Sequence, residues 1–210
     1  MQDRLSLRAT HSIHPRQARN SRPAILRAEE LGLPLNQLVT INFTAQSVSE
    51  ERLICLVLEK IRRRYCRWAK EPGKKKKALP FTGTMIWVLE NTGCIAAHLM
   101  LHVPEDRLAA FEKEVTSWVA KYTGQPLAGS ALDIRPIYNP HGLRKYLLKG
   151  LDPIYGGLYR VRTVPQGRIL GKRMGYTKNL GPSQCWAHRK KRSHYRPSRG
   201  AHDGFSASAV

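Results

Sequence analysis

The sequence predicts an α+β protein, an antiparallel sheet with helices packed on one face and basic tails at both ends. Two stretches, residues 38–44 and 95–103, alternate apolar and polar side chains with the period of a half-buried strand. Two others, after residues 50 and 104, repeat apolar residues every three or four positions, as an amphipathic helix does. The signals follow one another as β-α-β-β-α-β-α, an order that favours helices layered on an antiparallel sheet.

Residues 1–36 are polar, basic and aperiodic, and are expected to form a disordered, loosely attached arm. The first strand, Leu38 to Thr44, sets Val39, Ile41 and Phe43 on one face and Thr40, Asn42 and Thr44 on the other. Ser47 and Glu50 have capping-box spacing. Leu53, Ile54, Val57, Leu58, Ile61, Tyr65 and Trp68 then fall on one helical stripe that ends by Pro72 and Gly73. Lys74 to Lys77 follow as an exposed basic loop. Thr84 to Glu90, a turn at Asn91 to Gly93, and Ile95 to Val103 read as a hairpin. Pro104 opens a second helix with Leu108, Phe111, Val115, Trp118, Val119 and Tyr122 on its apolar face. Ala131 to Ile137 is a further strand, and a short helix carrying Tyr146 and Lys149 ends at Gly150. One domain is therefore expected at residues 37–153, a basic Gly- and Arg-rich extension at 154–181, and a disordered basic tail at 182–210.

A net charge of +21 and a pI near 10.4 call for a polyanionic partner, nucleic acid before membrane. The charge is uneven: from Arg135 onward, 16 of the 36 Lys and Arg face only two acids, Asp152 and Asp203. No apolar run reaches the roughly 18 residues of a membrane span, and the N-terminus lacks the apolar core of a secretory signal. Cys55, Cys66, Cys94 and Cys185 have no disulfide-framework spacing, so a reduced, cytoplasmic setting is expected.

Chemistry concentrates in the middle of the chain. Alternation puts Ile95, Ala97, Leu99, Leu101 and Val103 on the core face, and Ala96, His98, Met100 and His102 on the other. His98 and His102 would lie about 13 Å apart on a regular strand, too far to share one ion through bonds near 2 Å. An i, i+2 partner for His98 would stand at position 96 or 100, which are Ala96 and Met100. Glu90 is the other candidate ligand, a carboxylate suited to Mg²⁺ or Mn²⁺. An odd-numbered hairpin loop turns it to the His98 face; a four-residue loop turns it to the core, where an unpaired carboxylate is costly. The odd loop is favoured. Tyr146 and Lys149, three apart on a helix, share a face. A tyrosine with an ordinary pKa near 10 is ionised in only about one molecule in a thousand at neutral pH. A neighbouring ammonium that favours the phenolate would make it a nucleophile.

The strand–helix–strand–hairpin order, the histidine-bearing strand and the later Tyr146-Leu-Leu-Lys149 resemble the HUH single-stranded-DNA endonucleases, in particular the rolling-circle replication initiators (Rep-like proteins) of bacterial plasmids and phages. The resemblance covers about Leu38 to Gly150, with the basic segment Val164 to Gly181 beyond it. It implies a five-stranded ferredoxin-like sheet, a divalent metal, Mg²⁺ or Mn²⁺, and a bacterial cytoplasmic protein. It also implies a tyrosine that attacks a DNA phosphodiester, leaving a 5′-phosphotyrosine and a free 3′-hydroxyl. On this reading Tyr146 is the nucleophile, Lys149 stabilises its charge, and His98 with Glu90 holds the metal. Arg144, Lys145, Arg168, Lys172, Arg173 and Lys178 hold single-stranded DNA. The sequence departs from the family pattern at Ala96, where the first histidine of the His-hydrophobic-His pair belongs. Two other readings stay open: a DNA-binding descendant that has lost catalysis with its metal site, and an unrelated basic RNA-binding protein. Tyr176, Trp186 and Tyr195 are candidates for stacking on bases. Cys185, His188 and His194 are too few for a zinc site.

Overall fold

The computed structural model describes residues 8–72 and 79–184. The expectations for Lys74 to Lys77, and for Cys185, Trp186, His188, His194 and Tyr195, lie outside these residues. Five antiparallel strands form the central sheet. They are β2 (Gln37–Asn42), β3 (Met85–Asn91), β4 (Ile95–Leu101), β5 (Leu132–Pro136) and β7 (Met174–Tyr176), in the spatial order β5-β2-β4-β3-β7. A two-stranded ribbon pairs β1 (Ala9–Thr10) with β6 (Ile169–Leu170). The helices are α1 (Pro15–Glu30), α2 (Glu51–Lys70), α3 (Leu108–Thr123), α4 (Pro140–Leu147) and the single-turn α5 (Gly156–Tyr159).

The α+β class and the antiparallel sheet match the sequence reading. The expectation of helices on one face only does not hold. On one face, α2 and α3 cover Val39, Ile41, Trp87, Leu89, Ala97, Leu99 and Leu101. Here Ile54, Val57, Leu58, Ile61, Tyr65 and Trp68 of α2 meet Phe111, Val115, Trp118 and Val119 of α3, an aromatic cluster joined mostly edge to face. The other face carries Ile86, Val88 and Met100, and it is covered by Ala18, Ala24, Ile25 and Ala28 of α1 together with Leu147 and Leu148. A sheet with apolar residues on both faces needs two covers, and the second comes from the N-terminal stretch.

That stretch corrects the expectation of a disordered arm. His14 caps α1 by accepting from Arg16 N, and Gln17 returns the bond to the His14 backbone. Pro15 suits the first turn, where its missing N–H costs nothing. The buried side is made of small residues, Ala18, Ser21, Ala24 and Ala28, with Ile25. Arginines line the rest, so the apolar signal is faint in the sequence.

The segment 154–181 is likewise part of the fold, with β7 completing the sheet edge against β3. Its anchor is Arg173, 1% exposed, whose guanidinium donates to the carbonyls of Thr10, Leu89, Gln166 and Gly167. The capping box expected at Ser47 and Glu50 does not form. Ser47 adopts φ 56°, and α2 starts at Glu51 without a side-chain cap. Leu53, placed on the apolar stripe by the sequence, is 38% exposed.

Gly175 lies opposite Trp87, whose indole crosses the β7 backbone so closely that a Cβ there would come within 2.7 Å of the ring. Gly175→Ala is expected to cost about 2 kcal/mol through overpacking, read as a lower urea midpoint. Among the described residues no helix is long and apolar enough to cross a membrane.

Candidate active site

The hairpin fixes the first half of the site. Asn91 pairs with Ile95, leaving a three-residue loop, 92–94, in which Gly93 takes φ 93°. The odd loop puts Glu90 opposite Ala96 and Val88 opposite His98, so Glu90 and His98 share a face, as the favoured arrangement required. Glu90 Oε1 lies 2.9 Å from His98 Nε2. The contact is not an aligned hydrogen bond, and it leaves that buried nitrogen without a directional partner. On the far side of the ring, Nδ1 is 3.1 Å from Thr40 Oγ1, the residue directly across on β2.

The second half arrives from α4. Asn139 caps this helix by accepting from Gly142 N, and Tyr146 stands in its last turn, 55% exposed. Lys149 follows in a 3₁₀ turn, Leu148–Gly150, locked by buried Leu148 and by two backbone bonds, Ile13 N to Gly150 O and Val164 N to Lys149 O. The Lys149 ammonium lies 2.9 Å from Glu90 Oε2, donates to the Tyr146 hydroxyl at 3.1 Å, and sits 4.3 Å from the tyrosine ring centre. One chain of contacts thus runs Tyr146–Lys149–Glu90–His98–Thr40, from solvent into the sheet.

The electrostatics follow from this geometry. Burial by itself would raise the Glu90 pKa, but the His98 ring and the Lys149 ammonium outweigh it and bring the carboxyl down to about 2. Burial works against the Lys149 charge, yet Glu90 and the Tyr146 hydroxyl hold its pKa above the ordinary value. Lys149 is therefore a fixed cation at neutral pH, aimed at the tyrosine oxygen.

A divalent ion has two protein donors here. Adjacent ligands on an octahedral ion with bonds near 2.05 Å are about 2.9 Å apart, the separation of Glu90 Oε1 and His98 Nε2. The unaligned His98 nitrogen and the free direction of Oε1 fit Mg²⁺ or Mn²⁺, with Lys149 kept on the other oxygen. Among the described residues no group of three His, Cys, Asp or Glu side chains could hold an ion. Ala96 stands between Glu90 and Asn42, and the Asn42 side chain accepts from Ala45 N instead. His102 is a structural residue. It is buried against Phe81, with Nδ1 2.8 Å from the Pro34 carbonyl, and burial lowers its pKa.

The six residues expected to hold DNA separate. Lys145 lines a cavity of about 390 Å³ with Tyr146, Lys149, Arg160 and Arg162. It also lines a neighbouring one of about 490 Å³ with Arg19, Arg22, Arg144 and Arg160. Arg144 is partly buried, donates to Ser21 Oγ, and has its pKa lowered by burial and by Arg22. Arg168, Lys172 and Lys178 are exposed but lie outside both cavities, and Arg168 sits 3.7 Å from Glu51. Arg173 is corrected: buried among carbonyls, it cannot reach a strand. Tyr176 is half-buried, packed against the apolar cluster beneath α1, with its hydroxyl donating to the Gln17 carbonyl. The sequence reading missed Arg160 and Arg162, which line the cavity at Tyr146, and Arg22 in the neighbouring one, because their placement depends on the fold of α1 and of the turn after α5. No protein-family model, curated protein or solved structure matches this chain.

Proposed function

We propose that this protein is a replication-initiator-like DNA-binding protein in which Tyr146 cuts single-stranded DNA by transesterification. The observation that carries the reading is the unbroken contact chain from Tyr146 through Lys149 and Glu90 to His98, assembled from α4, the turn after it and two strands. The sheet supports it as well. β2-α2-β3-β4-α3-β5 has the β-α-β-β-α-β order of ferredoxin-like folds, with β7 as a fifth strand at the edge.

In the proposed reaction the Tyr146 oxygen attacks a backbone phosphorus and its proton passes to water, while the phosphorus–O3′ bond breaks and the departing O3′ takes up a proton from water. The products are a 5′-phosphotyrosine and a strand with a free 3′-hydroxyl. Lys149 stabilises the negative charge that develops on the tyrosine oxygen. Glu90 holds the ammonium in place. Lys145, Arg160 and Arg162 bind the flanking phosphates. Glu90 and His98 would hold Mg²⁺ or Mn²⁺, which when bound supplies positive charge to the scissile phosphate.

Incubation with single-stranded DNA of varied sequence and Mn²⁺ should give a covalent adduct on a denaturing gel, and Tyr146→Phe should give none. An adduct that persists in Tyr146→Phe would overturn the assignment of the nucleophile. Lys149→Met is expected to slow adduct formation at least about a hundredfold.

The second reading, a non-catalytic DNA-binding descendant, is favoured by Ala96 opposite Glu90. It expects no adduct from the natural chain at any Mn²⁺ concentration. Ala96→His, which adds an i, i+2 donor beside His98, would then restore adduct formation if the lost ligand is what silenced the site.

A further inference from the structure

A third cavity, about 1020 Å³, opens between α2 and the segment after β7 and shares no residue with the cavity at Tyr146. Arg62, Arg63, Arg67 and Lys70 line it from α2, and Lys178 lines it from the other wall. Its one acid among the described residues, Glu59, is engaged by Arg63. The groove therefore holds an excess of cations that nothing in its described lining neutralises.

The cations are also crowded. The Arg62 guanidinium is held 4.6 Å from the Trp87 ring centre, and its Nε is buried without a partner. Burial lowers its pKa and Arg63 adds to that, while nearby Lys172 is lowered by burial and by Arg62. Like charges kept together at an energetic disadvantage are relieved by an anion. Arg63, Arg67 and Lys70 stand at i, i+4 and i+7, spread over about 10 Å of helix, the axial advance of roughly three base pairs.

The lining distinguishes the form of the anion. Binding a single strand relies on aromatic platforms for unstacked bases. Among the described residues the one aromatic side chain of this lining is Tyr176, which is half-buried against the core with its hydroxyl tied to Gln17. What remains is charge and polar groups, suited to a backbone rather than to bases. We infer that this groove binds the phosphate backbone of double-stranded DNA, on a surface separate from the strand site at Tyr146. It needs no chemistry at Tyr146.

The test is the salt dependence of binding by the full chain to a labelled duplex of about 20 base pairs, followed by fluorescence anisotropy. Arg67→Gln with Lys70→Gln removes two exposed cations of the groove whose side chains make no hydrogen bond or ion pair among the described residues. The slope of log Kd against log salt should become shallower by about 1.8, near 0.9 per lost phosphate contact. Tyr146→Phe should leave the slope unchanged. An unaltered slope in the double variant overturns the inference. So does displacement of the duplex by an equal concentration of single-stranded DNA or of duplex RNA. Adduct formation on a short single-stranded oligonucleotide should be the same in the double variant as in the natural chain. Its absence from both would sink the Tyr146 reading alone and leave the groove standing.

Discussion

Replacing Arg173 by methionine should lower the thermal midpoint by about 10 °C, the largest loss of stability expected from any single change discussed. The guanidinium is fully buried and joins four carbonyls, from β1, β3 and the turn before β6, into one knot. Methionine keeps the bulk but donates nothing. The Gln166 carbonyl still accepts from Asn91 N, whereas the guanidinium is the side-chain donor that reaches Thr10 and Gly167. Buried carbonyls left unpaired cost about 1–3 kcal/mol each, so a total near 4 kcal/mol is expected. Burial lowers the Arg173 pKa while Glu90 and Glu51 oppose this, and no carboxylate touches it directly. Lysine at 173 should recover only part of the loss, because a compact ammonium cannot spread its donors over the same fork. Scanning calorimetry of the three proteins checks both statements. A midpoint unchanged in Arg173→Met would mean that β1, β3 and the segment after α5 hold together without the knot.

Arg173 also marks where sequence reasoning stops. In a segment rich in Gly and Arg, an arginine that binds phosphate and one that pins the backbone look the same, and only burial separates them. The strands were legible because alternation is a local signal. Val39, Ile41 and Phe43, and then Ile95, Ala97, Leu99 and Leu101, fall on the core face as their spacing dictates. Loop parity favoured Glu90 on the His98 face, because a four-residue loop would have turned the carboxylate into the core, and the loop 92–94 has the odd length. The Tyr146–Lys149 pairing followed from a three-residue spacing, but the reach of Lys149 to Glu90 did not. That contact depends on where α4 docks, which Leu147, Leu148 and the Ile13–Gly150 bond decide. The N-terminal helix was illegible for a different reason. Its buried side is mostly alanine and serine with one isoleucine, its exposed side is rich in arginine, and Pro23 sits inside it, so the polar face is plain but no stripe of large apolar residues marks the buried one. The His14 and Gln17 cap was the usable sign.

The position of α1 changes what the site is. Had the histidine face of the sheet been open, His98 and Glu90 would lie in water and their interaction would be weak. With α1, Leu147 and Leu148 over the neighbouring Val88 and Met100, both side chains are largely excluded from solvent, Glu90 at 14% exposure. The same covering layer sets Arg19 and Arg22 of α1 with Arg144, Lys145 and Arg160 around one cavity, while Lys145, Arg160 and Arg162 line the neighbouring cavity that holds Tyr146. Tyr146 is therefore flanked by Lys145, Arg160 and Arg162, while the Lys149–Glu90 ion pair lies beneath it.

Glu90→Gln should consequently do two things at once. At neutral pH the carboxylate prefers the folded state because its pKa falls from the ordinary 4.5 to about 2, which corresponds to roughly 3 kcal/mol counted once for its contacts with His98 and Lys149 together. Above about pH 4.5 the carboxyl is ionised in both folded and unfolded chains, and the stabilisation is fully present. Between 4.5 and 2 the unfolded chain takes up the proton first, so the stabilisation is lost as pH falls through the folded value. Urea unfolding with a chelator present should show Glu90→Gln less stable than the natural chain at pH 7, with the gap closing towards pH 2. A gap that stays constant with pH would assign the effect to packing instead of charge. The second consequence is kinetic. Without its carboxylate anchor Lys149 is free to leave the tyrosine oxygen, and adduct formation should slow by at least about a hundredfold even where the variant remains folded. Lys149→Met tests the same link from the other side. Because both variants remove one contact, the double variant should be little slower than either alone, whereas two independent contributions would multiply.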